Sequence, residues 1–72
     1  MSNIISIETT APKAIFFEKL LRPNGYRCTY SHTNVETGIF IINPAAKTFK
    51  WVANFTDVPS DMTIEDFIDL FL

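Results

Sequence analysis

Large apolar residues are densest between Gly38 and Phe55, GIFIINPAAKTFKWVANF, and their spacing differs between the two halves of that stretch. Ile39-Phe40-Ile41-Ile42 is an unbroken apolar run, the pattern of a strand covered on both faces. Phe49, Trp51, Ala53 and Phe55 instead alternate with Thr48, Lys50, Val52 and Asn54, the pattern of a half-exposed strand. Asn43-Pro44-Ala45-Ala46 lies between them, with a proline of fixed φ after an asparagine able to bond its own backbone, which is turn chemistry. The stretch predicts a β-hairpin, with Ile39 to Ile42 as the central strand.

The rest of the chain reads as cover for that hairpin. Asn3 to Glu8 alternates weakly around Ile4-Ile5 and Ile7 and predicts a short first strand. Thr10 is placed to cap a helix with Pro12 in its first turn, where a missing N–H costs nothing. That helix runs to Leu21 or Arg22, with Phe16, Phe17, Leu20 and Leu21 expected on its buried side, and Pro23-Asn24-Gly25 ends it. Tyr26, Cys28 and Tyr30 alternate with Arg27, Thr29 and Ser31, predicting a half-buried strand. His32 to Val35 reads as a turn and Thr56 to Met62 as a loop. Thr63, with Asp66 three residues on, resembles a capping box and opens a last helix, on which Ile64, Phe67, Ile68 and Phe71 share a face.

The element order is therefore (β)-α-β-β-β-α, with no internal repeat and no second domain within residues 1–72. Strands in sequence with helices flanking them predict an α+β layer, a small antiparallel sheet of three or four strands with both helices packed on one face. Hydrophobic residues make up 47% of the chain and only two are glycine, so an ordered core is expected despite the small size. Replacing Trp51, placed in that core, should cost about 3–5 kcal/mol.

Charge changes the picture more by its distribution than by its total of −2. Residues 1–56 carry a balance of +3, whereas Asp57, Asp61, Glu65, Asp66 and Asp69 give residues 57–72 a balance of −5. Such asymmetry bears on partner choice and association rate. One cysteine excludes an internal disulfide, and one cysteine with one histidine is too small a soft-ligand set for zinc, so no metal or cofactor is expected. No leader-like segment and no membrane-length apolar run is present, and a cytoplasmic location is expected.

No catalytic set stands out. Cys28 is mid-strand and reads as a small core hydrophobe, and His32 reads as a solvated turn residue. Glu65 and Asp69 are one helical turn apart, but no histidine, arginine or glycine-rich loop accompanies them. An enzyme is not expected.

Helix, three strands and helix is also the element order of double-stranded RNA-binding domains, which this chain resembles in topology alone. Those domains place a lysine-rich cluster at the start of the last helix, where this sequence has Thr63, Ile64, Glu65 and Asp66. Acids would repel phosphates there, so the resemblance does not bring the RNA-binding function with it. A weak single-stranded nucleic-acid contact through Arg27, Lys47 and Lys50 is the alternative of this class.

The function expected from the sequence is a stoichiometric protein-binding module, an adaptor or inhibitor. Its sharper form is an inhibitor of a nucleic-acid-handling protein, with Asp57, Asp61, Glu65, Asp66 and Asp69 meeting a basic groove; small size and acidic patches suit the anti-defence proteins of phages, although no motif identifies one. A sheet face bearing Phe40, Ile42 and Val52 is the expected apolar contact, with a structural homodimer as the alternative use of that face.

Overall fold

The computed structural model describes residues 4–32, 35–53 and 59–72. Its elements are β1 (Ile5–Thr10), α1 (Ala11–Leu21), a 3-10 turn (Arg22–Asn24), β2 (Arg27–Ser31), β3 (Thr37–Asn43), β4 (Thr48–Ala53) and α2 (Ile64–Phe71). The predicted order holds, the first strand included.

The four strands form one sheet in the order β1-β3-β4-β2. β3 is antiparallel to β1 and β4, but β4 and β2 are parallel, so the sheet is mixed and not antiparallel as expected. The correction follows from the strand order: β3 does not pair with β2 but lies one strand beyond it, so β4, antiparallel to β3, comes to lie parallel beside β2. β1, β4 and β2 thus run one way and β3 alone runs the other. α1 is the crossover between the two edge strands, with the β3–β4 hairpin inserted between them.

The hairpin forms for the reasons read from its sequence. Asn43 Oδ1 accepts a hydrogen bond from Ala46 N at 3.1 Å, and Lys47 takes the left-handed conformation (φ 58°) that closes the turn. Phe49 and Trp51 then point to the helices, while Lys50 points away. The strand-to-helix junction at α1 relies on backbone: the Thr10 side chain makes no cap, and Ala11 N donates to Glu36 O at 2.8 Å. At the other end Gly25, at φ 88°, supplies the left-handed residue that stops the helical turn. In α2 the predicted cap forms, with Thr63 Oγ1 accepting from Asp66 N at 3.1 Å.

Both helices cover one sheet face, and the core lies between. Ile7, Phe40, Ile42 and Phe49 of the sheet meet Phe17 and Leu21 of α1 and Phe67 of α2, all at most 1% exposed. Phe17 is edge-on to Phe40 at 5.0 Å and to Phe67 at 5.4 Å, so one ring ties both helices to the sheet. Phe40 and Ile42, expected on an open apolar face, are therefore fully buried under the helices. The residues that β3 turns the other way are Ile39 and Ile41; Ile39 is buried and Ile41 half-buried. Val52, beside Ile39 in the register, is half-buried as well.

Two alternations break. β2 carries a bulge between Cys28 and Tyr30, where the Thr29 hydroxyl donates to Phe49 O at 3.2 Å. One extra residue resets the pleat. Tyr30, expected inward, is 51% exposed and hydrogen-bonds His32 Nδ1 at 2.9 Å. In α1 the buried face is Ala14, Phe17 and Leu21, and Phe16, expected inside, is 58% exposed.

The sheet edges are treated differently. Outward-facing backbone groups of β1 are satisfied by the segment preceding α2: Ser6 N donates to Asp61 Oδ2 at 2.8 Å, Asp61 N to Ser6 O at 2.7 Å, and Glu8 N to Ser60 Oγ at 3.2 Å. At the opposite edge β2 is only five residues long and bulged, which blunts it as a template for another strand.

Tyr26 sits at the rim of the core beside Phe67 at 6.0 Å, with Lys47 Nζ 4.9 Å from its ring centroid. Burial pushes its phenol above the ordinary value of 10.0. A raised folded-state value means that the unfolded chain releases the proton first as pH rises. Stability from this group is thus whole below about pH 10 and falls as pH rises through the folded-state value. Thermal melts between pH 8 and 11 should show that fall in the native protein and a smaller one in Tyr26→Phe, which keeps the ring.

Candidate protein-interaction surface

Among the described residues, most of the exposed large apolar side chains are on the helices: Ile15, Phe16, Leu70 and Phe71. α1 buries a narrow face, Ala14, Phe17 and Leu21, and leaves Ile15 and Phe16 in solvent. α2 buries Ile64 and Phe67, and Leu70 stands 69% exposed on its outer side. Phe71 stacks on Phe67 at 4.8 Å yet keeps an exposed edge.

An apolar groove of about 360 Å³ runs between the two helices, lined by Lys13 and Phe16 from α1 and by Ile64, Glu65 and Ile68 from α2. Its floor is hydrophobic and its two walls carry opposite charges. A second hollow, about 270 Å³, lies on the other side of α1 between Ile15, Glu18, His32 and Trp51.

The expected acidic residues separate into distinct situations. Asp57 lies outside the described residues. The Asp61 carboxylate is engaged with Ser6 N and so serves the β1 edge. Glu65 and Asp66 stand in the first turn of α2, where the helix dipole favours negative charge. Asp69 is exposed in the following turn, toward the negative end of the dipole, and the last turn contains no basic residue. Its charge therefore lacks the local reason that Glu65 and Asp66 have.

The basic trio does not form one surface. Arg27 and Lys50 are exposed on the sheet face away from the helices, with Tyr30 paired to Lys50 in the register. Lys47 is turned to the Tyr26 ring and to Asn24 O, 3.4 Å from its Nζ. Cys28 packs against the core while His32 bonds Tyr30, so these two side chains form no dyad. Among the described residues no cluster of histidine, cysteine or acids has the arrangement to hold a metal ion, and no helix is long and apolar enough to cross a membrane.

Sequence reasoning missed Ile15 and Phe16 as surface residues. The available signal was the 14-17-21 spacing of Ala14, Phe17 and Leu21, an i, i+3, i+7 stripe that leaves Ile15 and Phe16 off the buried side.

No protein-family model, curated protein or solved structure matches this chain.

Proposed function

We propose that this chain is a stoichiometric protein-binding module, an adaptor or inhibitor, that presents the outer side of α2 to a basic partner. The observation that carries the reading is Leu70, the most exposed of the large apolar side chains among the described residues, one helical turn from Asp66 and adjacent to Asp69. An apolar anchor flanked by carboxylates that make no side-chain contact among the described residues suits a partner groove with an apolar floor and a basic rim. Proteins that handle nucleic acid offer such grooves, and an inhibitor seated there would exclude the polyanion. No cofactor, metal or catalytic step enters this reading.

The test uses Asp66→Asn with Asp69→Asn, which removes charge while keeping side-chain shape. A protein captured on the native chain is titrated against the native and doubly neutralised forms across a salt series. Binding is expected to weaken about tenfold at low salt, with a shallower salt dependence. Equal affinity and equal salt slopes would sink the electrostatic reading.

A further inference from the structure

The groove between α1 and α2 has a feature that the outer face of α2 lacks: it is complementary to itself. Lys13 stands on the α1 wall and Glu65 on the α2 wall, and both line the same apolar floor with Phe16, Ile64 and Ile68. A two-fold axis lying along the groove carries α1 of one copy over α2 of the other. Lys13 of each copy then faces Glu65 of its mate, twice per pair, which is the reciprocal contact that a symmetric interface requires. The same operation carries each Phe16, more than half exposed beside the groove, onto the Ile64–Ile68 wall of its mate. A foreign partner with a uniformly basic surface would meet Lys13 unfavourably in this groove. A second copy brings the matching charge at both walls.

We propose that two copies of this chain associate through the α1–α2 groove, with Phe16 as the mutual apolar anchor and Lys13–Glu65 as the pair that sets the register. Area decides how tight the pair is. Helices of 11 and 8 residues are about 16 and 12 Å long, and with axes roughly 10 Å apart they present a footprint of only about 300 Å². Stable interfaces take roughly 800 Å² per partner, so this one belongs at the weak end and the dimer dissociates on dilution. The pairing is independent of the outer side of α2. Asp66, Asp69 and Leu70 lie away from the groove lining and stay available, so a pair would carry two copies of that surface.

The experiment is sedimentation equilibrium of the intact chain from low micromolar to millimolar concentration, in low salt. The mass is expected to rise from 8.2 kDa toward twice that value. Phe16→Glu, at an exposed position, should hold the chain at the monomer mass with unchanged circular dichroism. Lys13→Glu and Glu65→Lys should each weaken association about tenfold or more. Combined in one chain they should restore it, because the swap reverses both walls at once. A monomer at every concentration overturns the proposal and leaves the groove to a foreign occupant. A dimer that ignores Phe16→Glu, or a double charge swap that fails to rescue, overturns this groove as the interface.

Discussion

Phe40→Ala is expected to remove about 3–5 kcal/mol, a large share of the stability of the fold. The ring is fully buried and lies at the crossing of three aromatic contacts: Phe17 at 5.0 Å, Trp51 at 4.8 Å and Phe49 at 6.0 Å. Removing it leaves a cavity walled by residues from α1 and β4, which are fixed by other contacts and so cannot collapse into it. Phenylalanine-to-alanine changes of this kind cost about 3–5 kcal/mol. At roughly 0.05–0.15 kcal/mol per residue, a chain of 72 residues has about 4–11 kcal/mol in total. The loss therefore takes a large fraction of the stability, and in the lower part of that range nearly all of it. Urea unfolding followed by Trp51 fluorescence measures it, since the indole is in contact with the deleted ring. A midpoint within a few tenths molar of the native value would mean that Phe40 is not the hub the packing describes.

Gly38→Ala is also expected to destabilise the fold, for a reason of space rather than backbone freedom. A Cβ at Gly38 would lie 2.6 Å from Val52 O and 2.8 Å from Cζ2 of Trp51. The first contact is backbone and cannot swing aside, and the second is an indole held against Phe40. Overpacking of this kind costs about 1–3 kcal/mol and displaces whatever yields first. Gly25 is the informative comparison. A Cβ there meets nothing within 4 Å, and the cost of Gly25→Ala comes only from φ 88°. Both variants should melt below the native protein, but only Gly38→Ala should shift the Trp51 emission of the folded state. An unshifted spectrum in Gly38→Ala would show that the strand pair opens instead of the indole moving.

The parts of this fold that were legible in the sequence are those set by local rules. The turn after Asn43, the Thr63 cap and the glycine that ends the helical run at Gly25 depend on residues within a few positions of each other, and each formed, whereas Arg22 before Pro23 stays helical and Pro23 lies inside the 3-10 turn. The unbroken apolar run of Ile39 to Ile42 indicated a central strand, which β3 is. The parallel pairing of β2 with β4 was not legible, because it depends on how the chain after Ser31 crosses the sheet, and no periodicity encodes that. The outward turn of Tyr30 was hidden by one extra residue at Thr29, invisible to a pattern that assumes a regular pleat. Which of the two apolar faces of α1 is buried depends on where the helix lies against the rest of the fold, a tertiary criterion. For the same reason the candidate surface shifted from the sheet to the helices: Phe40 and Ile42 look like surplus only until the helix layer is placed over them. The acids of α2 were visible as charge, but only their positions along the dipole separate Asp69 from Glu65 and Asp66.

The hydrogen bonds of Ser60 and Asp61 to Ser6 and Glu8 bear on the order in which the molecule assembles. They join positions 55 and 52 residues apart, and β1 itself pairs with a strand more than two dozen residues downstream. Closing such long loops is entropically costly before any contact rewards it, and chains dominated by distant pairings fold slowly for their size. The β3–β4 hairpin, whose ends are close in sequence, is positioned to form early and serve as the template. β1 must then find β3, and its outer edge stays bare until residues 60 and 61 arrive. During that interval β1 is the segment most open to capture by another chain, so its sealing by two short polar side chains protects the folding path as well as the finished sheet.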